Sequence, residues 1–144
     1  MNFEEAIGFA MTKTLRNMNV LFNHEFKQYG ITSEQWILLK SLEEKDGISI
    51  KDLTHSVEKD QANVTRILDL LARKGLVKRC NNPNDKRSSL VFLTGEGSQL
   101  TKHLIPLDEK VQEFALEGLS EEELLQFKKL LSQINQNVRQ YLDI

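Results

Sequence analysis

The apolar residues of this chain change their spacing twice. From Phe3 to Leu71 they recur three or four positions apart, from Leu76 to Leu93 they gather in two short extended stretches, and from Leu100 to Tyr141 the three-and-four spacing returns. Three-to-four spacing marks one face of a helix, and a short run bounded by turn formers reads as a strand. The chain is therefore expected to be mainly α with a small β unit just past its midpoint. Seven Gly and two Pro among 144 residues are too few for a many-turned β sandwich. At about 150 residues per domain the length fits one domain.

The helix boundaries are marked by their caps. Phe3, Ile7, Met11, Leu15, Met18, Phe22 and Phe26 form one stripe of a long first helix, which Gly30 ends. Thr32 and Gln35 form a capping box, with Ile31 and Trp36 as a hydrophobic staple, and predict a second helix to about Glu44. Ser49 with Asp52, inside an Ile48–Leu53 staple, predicts a short third helix over 50–57. Asp60 caps a fourth, with Val64, Ile67, Leu68 and Leu71 on its buried face and Gly75 as the left-handed stop. Residues 76–80 and 89–93 read as two strands around the turn-rich segment 81–87, which is basic at its far end. Thr94 caps a fifth helix, which Pro106 should kink and Gly118 ends. Ser120 and Glu123 box the last helix, whose Leu124, Phe127, Leu131, Ile134, Val138 and Tyr141 are expected to be buried.

Charge is unevenly placed. Between Ser49 and Thr94 nine Lys or Arg face five acids, a balance of +4, although the whole chain carries −2 and the remainder therefore −6. A basic middle with acidic flanks suits a protein that meets phosphate with one part only. No apolar run reaches the ~18 residues of a membrane helix, and no secretory signal opens the sequence. The single Cys80 allows no internal disulfide. These features point to the cytoplasm.

Helix, turn, short helix, turn, helix and a two-stranded ribbon make a winged helix-turn-helix, whose second helix enters the major groove while the ribbon reaches a neighbouring groove. The outer face of the fourth helix carries Gln61, Thr65, Arg66, Asp69 and Arg73, with Asn63 near its start. Amide side chains can pair with adenine edges and Arg with guanine edges. Lys86 and Arg87, placed at the hairpin tip, have no evident folding role.

The stretch from Ser56 to Gly97 closely resembles the MarR family of bacterial transcriptional regulators. The resemblance rests on Val64-Thr65-Arg66, Leu68 to Leu71, Lys74-Gly75-Leu76-Val77, Arg79, Pro83, Asp85-Lys86-Arg87 and Leu93-Thr94 before Gly97. Gln35-Trp36 with Leu38 and Leu39 matches the preceding helix, and the flanking helices fit by length and position. The resemblance implies one domain over 1–144, with 31–97 reading double-stranded DNA and the helices of 1–30 and 98–144 forming a homodimer. It implies a pseudo-palindromic operator, repression rather than activation, and control by a small lipophilic or phenolic effector. DNA contacts are expected from Lys51, Gln61, Asn63, Thr65, Arg66, Arg73, Asp85, Lys86 and Arg87. Among these Asp85 matches the acid that braces the wing, and Arg87 the arginine that enters the minor groove. The effector is expected near Met11, Met18, His24 and Trp36, with Tyr29 and Phe114 as neighbours.

Other classes fit less well. His24, His55 and His103 are scattered, no paired-cysteine, GxSxG or phosphate-loop spacing occurs, and no cofactor or metal is expected. The apolar stripes of the first and last helices could close an intramolecular bundle instead of a dimer. A winged-helix interaction module without DNA binding is the remaining alternative, though Arg66, Lys86 and Arg87 are more cations than it needs. One family branch senses peroxide through a cysteine in the first helix. Residues 1–29 contain none, and Cys80 reads as a small strand residue.

Overall fold

A computed structural model describes Asn2 and residues 5–144. The order is α1 (Ile7–Phe26), a 3-10 turn (Lys27–Tyr29), α2 (Ser33–Glu44), β1 (Ile48–Ser49), α3 (Ile50–Val57), α4 (Gln61–Arg73), β2 (Val77–Asn82), β3 (Asp85–Leu93), α5 (Gly95–Ala115) and α6 (Glu121–Leu142). The mainly α architecture with a small sheet is as the spacing requires. Phe3, the expected first member of the α1 stripe, lies outside the described residues. Among the described residues no helix is long and apolar enough to cross a membrane.

The caps are made by the residues that signal them. The Thr32 hydroxyl accepts from the Gln35 N–H at 3.2 Å while the Gln35 amide oxygen accepts from the Thr32 N–H at 3.1 Å. Ser49 accepts from the Asp52 N–H at 3.0 Å, and Asp60 from the Asn63 N–H at 2.9 Å. Such caps contribute about 1 kcal/mol each. Ser120 and Glu123 form the second reciprocal box, at 3.0 and 3.1 Å. The bond from the Ser120 backbone N–H, and then that from its hydroxyl, hold the Glu123 carboxyl below its ordinary pKa.

Two compact units divide the chain, Met1–Val111 and Gln112–Ile144. The first contains the core. Phe26, Leu38, Leu39, Leu42, Leu53, Ile67, Leu68 and Leu71 are fully buried in it, with Val91 from the sheet and Leu104 from α5. Each such side chain contributes about 1.5–3 kcal/mol of hydrophobic stabilisation. Val64, Ile67, Leu68 and Leu71 all face inward, so the inner face of α4 is fixed as its sequence indicates. Asp108, nearly buried on α5, accepts from the Lys40 ammonium of α2 at 3.0 Å. α5 runs unbroken through Pro106 to Ala115.

The sheet departs from expectation. It has three strands, in the order β1-β3-β2, all antiparallel. β1 is only two residues long, so it carries no period to read; Ile48 pairs with Val91, and Ser49 with Leu90. The ribbon is also longer, and its turn shorter, than expected. β2 and β3 pair in register as far as Asn81 and Ser89; the register then shifts, Asn82 pairs with Asp85 around the Pro83-Asn84 loop, and Lys86, Arg87 and Ser88 form a bulge on β3. Lys86 and Arg87 therefore lie on β3, not at the hairpin tip. Exposed backbone pairing overrides the weak strand preference of Asn81, Asn82 and Asp85, and local side chains support the bend. The Asn82 amide oxygen accepts from the Asn84 N–H at 3.0 Å, and its amide N–H donates to the Ser88 hydroxyl at 2.9 Å.

The second unit corrects another expectation. No residue of α6 is buried. Leu124 and Leu131 are half-buried, while Phe127 is 56%, Val138 50% and Tyr141 90% exposed. The stripe exists, but no described residue buries it. In the first unit Ile7, Met11 and Leu15 of α1 are likewise exposed, whereas Phe22 and Phe26 of the same helix are core.

Candidate nucleic-acid interface

With one face of α4 in the core, the opposite face is open. Gln61, Arg66, Asp69 and Arg73 are exposed on it, and Asn63 and Thr65 are half-buried. Asn63 is engaged twice. Its N–H is held by the Asp60 cap, and its amide oxygen accepts from Arg66 Nη2 at 2.7 Å. The same Arg66 nitrogen lies 3.7 Å from the Glu34 carboxylate on α2, an exposed pair of little stabilising value. Asn63 and Arg66 thus form one polar unit at the start of the helix. Lys51 is exposed on the first turn of α3.

The ribbon is tied to α4 by Arg79 on β2. Its guanidinium donates to the Asp69 carboxylate and, at 3.3 Å, to the Thr65 carbonyl. In the sequence Arg79 stands only as part of the family pattern. Its fastening role was legible solely as opposite charges on neighbouring elements. At the wing the Asp85 carboxylate accepts from the backbone N–H of Arg87 at 2.9 Å. The acid therefore braces the arginine through its main chain and leaves the guanidinium free. Lys86 and Arg87 are exposed, and their side chains pair with no described residue. Cys80 is a free, exposed thiol on β2 opposite Leu90.

The residues expected near an effector are not gathered on one face. Trp36 is buried, its ring 5.4 Å from Phe26 and 6.5 Å from Phe22, and its indole N–H has no hydrogen-bond partner among the described residues. Met18 is half-buried and Met11 exposed. His24 is exposed, 3.6 Å from the Glu25 carboxylate. It stands two positions from Phe22, about 200° around the helix, and so faces away from Trp36's partners. Tyr29 packs edge-on against His103 at 5.7 Å, and Phe114 is exposed.

A three-helix unit whose last helix buries one face and offers amides and a guanidinium on the other, with a cationic antiparallel ribbon beside it, is a winged helix-turn-helix. Residues 31–89 match the MarR family model. The chain is similar to a probable transcriptional regulator from Pseudomonas aeruginosa, at 25% identity and a TM-score of 0.86, over 92% of this chain and 99% of that one. It is similar to a mutant MarR from E. coli complexed with operator DNA, at 28% identity and a TM-score of 0.80, over 89% and 92% of the two chains. It shares the fold of Bordetella bronchiseptica BpsR, whose DNA binding is regulated by 6-hydroxynicotinic acid, at 24% identity and a TM-score of 0.87, over 94% and 96%. Residues 31–89 thus carry a MarR family domain, and this region is the DNA-binding part of a transcriptional regulator.

Proposed function

We propose that the protein is a homodimeric, effector-responsive repressor that acts in the cytoplasm on a pseudo-palindromic operator. The observation that carries this reading is the division of α4 into a fully buried apolar face and an open face of Gln61, Thr65, Arg66 and Arg73. Among the described residues the open face is engaged by the Asp60 cap on Asn63, by the Asn63–Arg66 and Arg66–Glu34 pairs, and by Arg79, which bonds Asp69 and the Thr65 carbonyl. Gln61, Asn63, Thr65 and Arg66 read base edges in the major groove, and Arg73 and Lys51 contact phosphate. Lys86 and Arg87 extend along the adjacent minor groove. The helices of 1–30 and 98–144 join two copies, and 31–97 reads DNA within a single domain. A lipophilic or phenolic effector bound beside Met11 and Met18 of α1, without His24 or the buried Trp36, shifts the spacing of the two reading heads.

Two-fold symmetry sets half-sites about 10 base pairs apart, or a small multiple of that. Cations that neutralise phosphate release counterions, so affinity is expected to fall by roughly 10³-fold between about 50 and 200 mM salt. Fluorescence anisotropy on a duplex selected from a random pool by the protein tests this. An affinity that stays flat over that range overturns the phosphate contacts.

The wing gives a sharper test. Arg87→Ala should leave thermal stability unchanged and weaken operator binding by about 1–3 kcal/mol. Asp85→Ala distinguishes charge from geometry. As an acid near phosphate Asp85 repels DNA, and its removal on that ground alone tightens binding. As the acceptor of the Arg87 N–H it fixes the strand that carries the guanidinium. Weaker binding by the Asp85→Ala protein is expected, and tighter binding at matched salt refutes the bracing role.

A further inference from the structure

The α4 helix is held at its far end by one side chain that the DNA contacts do not use. Lys74 is the C-cap residue of α4. Its ammonium donates to the Gly30 carbonyl, 44 positions away, and to the amide oxygen of Gln35 at 3.2 Å. Gly30 is the left-handed residue that ends the segment after α1, at φ 68°. Gln35 is buried and is the reciprocal partner in the α2 capping box. Its oxygen therefore receives two donors, the Thr32 N–H at 3.1 Å and the Lys74 ammonium. One cation thus joins the end of the reading helix, the end of the α1 segment and the start of α2. Charge-assisted bonds of this kind are roughly twice as strong as neutral ones.

We infer that Lys74 is a positioning residue for operator recognition, fixing the tilt of α4 against the α1–α2 corner. This rests on the reading that α4 enters the major groove. The inner face of α4 anchors its middle, through Val64 to Leu71, by non-directional apolar packing, and Lys74 adds a directional hold at its C-terminal end. At 1.5 Å per residue Gln61 lies about 9 Å from the anchored middle of the 13-residue helix, so a tilt of about 5° about that middle moves the Gln61 end by roughly 0.8 Å. Base-edge hydrogen bonds tolerate errors of only about 0.5 Å. Phosphate contacts carry no sequence information. Loss of the Lys74 link should therefore cost discrimination, not general DNA affinity.

The test uses the full chain and two duplexes of equal length, one selected from a random pool by the natural protein and one of random sequence. Lys74→Met keeps the apolar stem and leaves the Thr32–Gln35 box intact. Binding is compared by anisotropy at a temperature where circular dichroism shows every variant folded. Lys74→Met is expected to bind the selected duplex about tenfold more weakly and the random duplex within about twofold of the natural protein, with the salt slope unchanged. Lys74→Arg, which keeps a cationic donor, should stay within about threefold of the natural protein on the selected duplex. An equal loss on both duplexes with a salt slope shallower by about one makes Lys74 a phosphate contact and overturns the inference. So does unchanged binding to the selected duplex, or a loss in Lys74→Arg as large as in Lys74→Met. A natural protein that selects no duplex defeats the α4 reading itself, which separates that failure from failure of the positioning role.

Discussion

The doubly charged variant Ile134→Asp/Val138→Asp is expected to run as a monomer of about 17 kDa, where the natural chain of 16.6 kDa should run at about twice that mass. Ile134 and Val138 are four positions apart on one face of α6, between Phe127 and Tyr141, and all four are exposed within a single chain. A helix of 22 residues with an apolar stripe of that length and no buried residue gains little by standing alone. An exposed apolar stripe of this kind is the expected seat of an interface between copies. Aspartates in its centre would have to be desolvated when two copies meet, at several kcal/mol each.

The consequence for DNA follows from tethering. Two reading heads in one dimer bind the second half-site at an effective concentration near millimolar, and separating them loses about 10²-fold or more in affinity. The monomeric variant should keep the circular dichroism of its winged unit, because the core of Met1–Val111 does not include Ile134 or Val138. Sedimentation and operator titration on the same preparation check both statements. A variant that stays dimeric places the interface elsewhere, and a monomer with natural operator affinity refutes the two-headed reading.

Much of this fold is legible in the sequence, because its signals are local. Thr32 with Gln35, Ser49, Asp60 and Ser120 with Glu123 are short-range hydrogen-bond devices, and all of them form. The buried quartet of α4 follows from period alone. What was not legible is long-range or too short to repeat. β1 exists because Ile48 and Ser49 meet Val91 and Leu90, some forty residues later. The wing turn is tighter than its polar composition suggests, which moves Lys86 and Arg87 from loop to strand. The α6 stripe is apolar as its spacing requires yet exposed within one chain, since periodicity says that a face needs a partner but not which chain supplies it. The candidates on α4 lie on its outer face because a helix face is itself a local feature, with Gln61, Arg66 and Arg73 exposed and Asn63 and Thr65 half-buried. The candidate effector residues do not, for Trp36 is core and His24 points to solvent. Lys74 and Arg79 look like ordinary surface cations until their partners on other elements are known.

Gly97→Ala is expected to destabilise the fold by about 3 kcal/mol or more, lowering the melting temperature by roughly 10 °C. The methyl group would sit 1.9 Å from the Leu76 carbonyl oxygen and 2.9 Å from its carbonyl carbon. Both atoms are backbone, so no rotamer change relieves the contact, and the start of α5 must move away from the start of the ribbon. That motion opens a clasp of three hydrogen bonds. The Thr94 N–H donates to the Leu76 carbonyl at 3.0 Å, the Thr94 hydroxyl to the Gly75 carbonyl at 2.6 Å, and the Gly97 N–H to the Thr94 hydroxyl at 3.0 Å. Each contributes about 0.5–1.5 kcal/mol, and overpacking adds about 1–3. Gly95, two positions earlier, is the internal control, because a methyl group there meets nothing within 4 Å. Gly95→Ala should be neutral or slightly stabilising, since it removes unfolded-chain entropy without strain. Thermal unfolding of the two variants side by side separates the effect of the close approach from that of losing a glycine. Equal stability in the pair would mean that α5 is not clasped against Leu76 in solution.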